Sequence, residues 1–163
     1  MGLGLRHIRK MFIDLPPLYT DLYNMVKFPY GRKGVSLEDP AICLSCGQIL
    51  NGGNRRREGG ESESNPGECS LHARSCGAGV SCFFLVQQCY VLLLRDSRAC
   101  YYPSLYHDAS GGEVKQNKTQ NKPLFLSKKR YAGLEELYLS HQVPREVVRK
   151  RASAERVVRQ FWY

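Results

Sequence analysis

The sequence predicts an α+β fold: a small antiparallel sheet beside a cysteine-rich knuckle, with one helix on its N-terminal side and two on its C-terminal side. Three observations carry this. Residues 80–86 and 89–94 are nearly unbroken apolar runs rich in β-branched and aromatic side chains, the composition of buried strands. Apolar residues recur at helical spacing over 18–26 and again through most of the chain after Ser127. Between these regions stand a Cys-x2-Cys pair, Cys43 and Cys46, and a second string containing Cys69, His72 and Cys76.

The bulk numbers bound the possibilities. A chain of 163 residues suits one domain with a helical annex. A hydrophobic content of 42% with ten tyrosines supplies a core, so a disordered tail is not expected. No stretch reaches the roughly 18 unbroken apolar residues of a membrane span. The longest candidate, 80–94, is interrupted by Ser81, Gln87 and Gln88. Met1-Gly2 opens like a myristoylation signal, but Arg6 stands where Ser or Thr is required. A net charge of +9 permits contact with nucleic acid, an acidic protein or an anionic membrane, and selects none of them.

Taken in order, residues 1–13 form a basic, apolar lead-in that could continue a helix from upstream. The main domain is expected over 14–143. Leu15-Pro16-Pro17 stops any preceding helix. Leu18, Leu22, Met25 and Val26 then predict a short amphipathic helix over about 18–26. Residues 29–34 read as a turn, and Asp39-Pro40 sets the chain extended. Residues 51–68 read as a mobile loop, because they hold Gly52, Gly53, Gly59, Gly60 and Gly67 and no apolar anchor. Its three arginines, Arg55 to Arg57, are cancelled by the acidic run that follows, so a solvated loop is favoured over a nucleic-acid contact.

Gln87-Gln88 is the candidate turn between the two apolar strands. Neither residue favours positive φ, so a bulge or one long bent strand is the alternative. Residues 95–98 are the sharper turn, with a third strand over 99–102. Cys82, Cys89 and Cys100 are expected as buried apolar thiols within this sheet. His107-Asp108 reads as a satisfied surface pair, not as acid–base machinery. Residues 109–112 form a turn and 115–122 a polar loop.

Ser127 is placed to cap a helix, with Leu126 and Tyr131 at the positions of a hydrophobic staple. Leu134, Leu137 and Tyr138 continue its apolar face. Pro144 suits the first position of a final helix, 145–160, within a basic amphipathic segment spanning 144–163. Its expected apolar stripe is Val147, Val148, Ala154, Val157, Val158 and Phe161. The basic face is read as solvated or docked on a partner. Phe161-Trp162-Tyr163 is expected to pack into this domain or against a neighbour.

The chemistry of the chain lies in the cysteine-rich stretch. Two thiols separated by two residues can face one ion when the backbone curls, and Gly47 allows the positive φ of such a turn. In a helix, Cys69, His72 and Cys76 would share a face. The spacing predicts one structural zinc held by Cys43, Cys46, Cys69 and His72, with Cys76 as the alternative to Cys69. A closed set of four leaves no position for a catalytic water. Seven cysteines cannot all pair with one another, and residues 1–11 hold no long apolar run of a secretory signal. The chain is therefore expected to be intracellular and reduced.

These residues also carry a family likeness. Its first part is Leu15-Pro16, Tyr19, Cys43-x2-Cys46-Gly47, Cys69-x2-His72-Ala73-x2-Cys76-Gly77-Ala78-Gly79, Phe84-Leu85 and Cys89. The second is Pro103, Tyr106, Asp108, Gly112-Glu113, Pro123-Leu124-x-Leu126, Arg130-Tyr131, Leu134 and His141. Over about 15–141 the chain resembles the C-terminal domain of the UBR-box N-recognin E3 ubiquitin ligases, including the plant PROTEOLYSIS6 type. The resemblance implies a very large RING-type parent that recognises destabilising N-terminal residues of substrates. This region would be its zinc-containing cap, packed on a helical scaffold and the RING and linked to autoinhibition. Through that parent it would serve a ubiquitin-conjugating enzyme and N-degron substrates, in the cytoplasm and also the nucleus, without a membrane partner.

The chain departs from that parent in having no UBR box, ClpS-like module or RING. A RING requires a cross-braced pair of zinc sites, which these spacings do not supply. No cysteine stands in an acyl-transfer setting, so the chain alone is expected to be inactive, as a fragment or a free-standing remnant of the cap. Two competing classes remain in view. A basic zinc-finger protein binding RNA or DNA would need arginines and aromatics exposed on one surface and binding that weakens steeply with salt. A metalloenzyme using His107 or His141 lacks neighbouring ligands at metal spacing.

Overall fold

Strands 80–85 and 90–95 read as unbroken apolar runs because the sheet they form is covered on both faces. The computed structural model describes residues 11–27, 39–52, 67–96, 98–111 and 122–153. Five antiparallel strands, β1 (Pro40–Cys43), β2 (Ile49–Asn51), β3 (Val80–Leu85), β4 (Tyr90–Arg95) and β5 (Arg98–Tyr102), lie in the order β2-β1-β3-β4-β5. Alternation along each strand sends successive side chains to opposite faces. Ile42, Cys82, Phe84, Val91 and Leu93 enter one core, while Ala41, Cys43, Phe83, Leu85, Leu92 and Leu94 enter the other.

The first core is the larger. Three helices close it: α1 (Tyr19–Lys27) with Leu22 and Val26, α3 (Lys128–Leu139) with Leu134, and α4 (Val143–Ser153) with Val143 and Val147. A two-stranded ribbon, β6 (Tyr106–His107) with β7 (Phe125–Leu126), adds Tyr106. The second core is closed by one nine-residue helix, α2 (Glu68–Cys76), which buries only Cys69, Ser70 and Ala73. The result is three layers, with the sheet in the middle.

Several tyrosines act as tethers as well as core material. The chain before α1 runs extended, and the Tyr131 hydroxyl donates to the Ile13 carbonyl at 2.6 Å. The Tyr106 hydroxyl donates to the Pro16 carbonyl at 2.8 Å. The Ile13 N–H donates to the Leu44 carbonyl at 2.8 Å, and Phe12 is buried in the first core. These last residues of the lead-in are thus a strap over the sheet, not the tail of a helix. Residues 1–10 lie outside the described residues.

α1 and the strands β3, β4 and β5 fall where the sequence places them, and Ser127 caps α3 by accepting from the Arg130 N–H at 3.3 Å. Three expectations are corrected. Cys89 is not in a strand but in the turn joining β3 to β4, at φ +56, with its buried Sγ 3.2 Å from the Ser104 Oγ. Asn51 belongs to β2 and Glu68 to α2, so the expected 51–68 loop is shorter; residues 53–66 lie outside the described ones. Val148 is 46% exposed and outside the apolar stripe, since it is rotated about 100° from buried Val147. His107 is satisfied by its neighbour, with Nδ1 2.7 Å from the Asp108 carbonyl oxygen, and the Asp108 carboxylate also accepts from the Ser110 N–H and hydroxyl. The rest of the final helix's stripe and the aromatic end fall within 154–163, outside the described residues.

Candidate metal centre

The knuckle is the turn between β1 and β2. Gly47 takes φ +80, and its N–H donates back to the Cys43 carbonyl at 2.8 Å. The Cys43 N–H donates to the Gln48 carbonyl at 2.9 Å, closing the hairpin. The next residue anchors it: the Leu44 N–H donates to the Cys82 carbonyl at 3.0 Å, and its side chain is fully buried in the first core. Strand alternation thus turns Cys43 toward α2 while Leu44 pins the turn from the opposite side.

α2 supplies the other wall. Glu68 in its first turn and Arg74 in its last suit the helix dipole. The Glu68 carboxylate also accepts from the Asn51 N–H at 2.8 Å, joining the start of α2 to the end of β2. At the far end the chain reverses into β3 through Gly77 to Gly79. A Cβ on Gly77 would lie 2.0 Å from the Val80 carbonyl oxygen, so only glycine fits there. This tight return fixes Cys76 close above the sheet.

Four ligand atoms converge between the walls. The donors of Cys43, Cys46, His72 and Cys76 all lie within 4.8 Å of one another. The Cys43 and Cys76 sulfurs are 3.9 Å apart, and the Cys46 sulfur is 3.3 Å from His72 Nε2. Tetrahedral zinc with ordinary bond lengths separates its sulfur and nitrogen ligands by about 3.6–3.8 Å. The two measured pairs bracket that value, and the widest pair needs to close by about 1 Å. Among the described residues this is the one such gathering of three or more His, Cys, Asp or Glu side chains. Three thiols and an imidazole could hold a metal ion and are compatible with zinc.

Cys69, the first choice for the fourth position on sequence, lies outside this group, and its alternative Cys76 lies inside it. Both point to the same side of α2, but they are seven residues apart, about 10 Å along the axis. Side chains on a helix lean toward its N-terminus, so Cys76 reaches back beside His72 one turn earlier. Cys69, in the first turn, is buried in the second core with Ala41, Ala73 and Phe83. Spacing alone could not separate them. The signal that could is the glycine pair after Cys76, which marks where the helix end meets the sheet.

Burial pushes the Cys43 thiol up to about 12 and the Cys69 thiol up to about 12. Burial, then Cys46 beside it, also raises Cys76. Left to themselves these groups stay protonated, whereas a bound cation reverses that preference and draws the thiolates out. His72 packs edge-on against Phe83, with ring centroids 6.1 Å apart, which holds the imidazole in place. His107 and His141 join no such cluster, and His141 instead ends α3 at φ +58.

Comparison with known proteins follows the same stretch. The family model described as Proteolysis_6 C-terminal matches residues 3–140. The chain is 35% identical over 136 residues to the E3 ubiquitin-protein ligase UBR3 of Homo sapiens, covering 79% of this chain and 7% of that ligase. It is 34% identical over 146 residues to the E3 ubiquitin-protein ligase UBR1 of Homo sapiens, covering 86% of this chain and 8% of the ligase. With the E3 ubiquitin-protein ligase UBR2 of Homo sapiens it shares 32% over 138 residues, 83% of this chain and 8% of the ligase. The chain thus spans less than a tenth of the length of each of these relatives.

Proposed function

The chain belongs to the Proteolysis_6 C-terminal family, and from that membership we propose that it is the zinc-clamped cap module of an N-degron E3 ubiquitin ligase. Its role is structural and regulatory, and by itself it transfers no ubiquitin. One zinc ion is held by Cys43, Cys46, His72 and Cys76, and ties the knuckle of β1 and β2 to the end of α2. The observation that carries this reading is the convergence of those four donors from separate elements within one family-matched stretch.

The module divides into the zinc-containing body, 14–143, and the basic C-terminal segment, 144–163. Its partners are the helical scaffold and RING of the same ligase, and through them a ubiquitin-conjugating enzyme and N-degron substrates. It works in the cytoplasm and the nucleus. Three of the four basic residues of α4 support a structural reading over nucleic-acid binding, because they are engaged within the chain. Lys150 Nζ donates to the Tyr101 carbonyl at 3.2 Å and sits 4.7 Å from the centre of the Tyr102 ring. Arg151 donates to the Ala99 carbonyl at 3.3 Å, and Arg149 pairs with Glu146 at 2.6 Å.

Native mass spectrometry of the purified chain, with and without chelator, tests the reading. One zinc per chain is expected, lost in a Cys43→Ser variant. A folded protein with no metal would overturn the clamp. Detectable ubiquitin transfer by the isolated chain would overturn the non-catalytic role.

A further inference from the structure

Two of the four converging donors are already close to sulfur–sulfur contact. Cys43 Sγ and Cys76 Sγ stand 3.9 Å apart, and they come from the two elements the site joins, β1 and α2. Cys43 is buried on a strand pinned from both sides, while Cys76 lies at the exposed end of its helix. Cys46 is also exposed, with its sulfur 3.3 Å from His72 Nε2 and in the same gathering beside Cys43 and Cys76. Cys69, Cys82, Cys89 and Cys100 are buried away from this group.

We propose that Cys43 and Cys76 form a peroxide-sensitive disulfide that replaces the metal as the link between knuckle and helix. The inference rests on the zinc reading for its starting state. A peroxide, ROOH, reaches the exposed Cys76 thiolate first. A sulfur–oxygen bond forms as the oxygen–oxygen bond breaks, giving a sulfenic acid, and the leaving alkoxide takes a proton to become ROH. The Cys43 thiolate then attacks Cys76 Sγ. The sulfur–sulfur bond forms, the sulfur–oxygen bond breaks, and hydroxide leaves and is protonated to water. Two thiolates are oxidised by two electrons in all, and the peroxide is reduced by two. Zinc, left with Cys46 and His72 alone, dissociates.

The consequence is specific to this pair. A Cys43–Cys46 disulfide would close the knuckle on itself and release α2. A Cys43–Cys76 bond keeps α2 on the sheet after the metal has gone and frees Cys46 and His72 at the surface. The oxidised module is therefore folded but metal-free, and thiol reductant with zinc restores the starting state.

The test treats the full zinc-loaded chain with one equivalent of hydrogen peroxide. Zinc release is followed with a colorimetric chelator, the disulfide by tandem mass spectrometry, and the fold by circular dichroism. The expected result is one zinc released per disulfide, a 2-Da mass loss mapped to Cys43–Cys76, and retained helical signal. A bond mapped to Cys43–Cys46 or Cys46–Cys76, over-oxidation of Cys76 without a bond, or loss of the fold on oxidation would each overturn the proposal. Zinc content measured before peroxide separates this outcome from failure of the zinc reading. A chain that carries no metal yet forms Cys43–Cys76 refutes the clamp, not the disulfide.

Discussion

The two faces of the sheet are held by different means. The first is covered by α1, α3, α4 and the strap, which bury Phe12, Leu22, Leu134, Val143 and Val147 against it. The second is covered by α2, whose buried residues are Cys69, Ser70 and Ala73. Burying a Leu or Val side chain contributes about 1.5–3 kcal/mol, and small side chains contribute far less. A nine-residue helix is also too short to be stable alone in water. The first face can hold itself by apolar area, whereas the second needs a tether. The Cys43–Cys46–His72–Cys76 cluster is placed where that tether is missing. A metal bound here would do for one small helix what three helices' worth of aliphatic side chains do opposite.

This contrast can be broken at either face. The largest effect is expected from removing the metal. Structural zinc supplies on the order of 10 kcal/mol of folding free energy, so chelation should abolish the cooperative transition near room temperature. Hydrogen exchange would locate the damage, with α2 and β2 losing protection before α3 and β4. Uniform loss on both faces would show that the faces do not separate. Next comes the apolar face. Leu134→Ala, at a fully buried position, should cost about 2–5 kcal/mol by denaturant unfolding while zinc stoichiometry stays at one. Loss of zinc in that variant would mean that the metal site depends on the far core. The smallest effect sharpens the ligand assignment. Cys69→Ala should cost about 1 kcal/mol and leave zinc content unchanged by elemental analysis. A Cys69→Ala protein without zinc would return Cys69 to the ligand set.

Where the sequence was legible follows the same division. The strands of the middle layer announced themselves because both faces are buried, so Val80 to Leu85 and Tyr90 to Arg95 carry almost no polar interruption. Ser127 was readable as a cap because its hydroxyl meets a local need, an unpaired N–H three residues on. β1 and β2 were not readable. They have four and three residues, and their pairing is dictated by the knuckle and by β3, which are contacts distant in sequence. The turn at Cys89 was misread for a related reason. A left-handed residue that is not glycine is held there by its surroundings, here the buried Ser104 beside its thiol. In the candidate metal centre, residue types and spacing were enough to name five candidates. Finding the four that converge required knowing which turn of α2 lies against the knuckle.

The bond from the Asn51 N–H to the Glu68 carboxylate has a consequence for how this chain can vary. It fastens together the two points between which residues 52–67 depart and return. The span to be closed is therefore fixed by β2 and α2 and does not depend on what lies between. Doubling the length of such a connection costs only about 0.6 kcal/mol of closure entropy. This is a place in the molecule where sequence can grow, shrink or carry an added peptide while the knuckle on one side and the helix on the other stay in register. An epitope or a fluorescent reporter introduced there would ride on the module without loading its core.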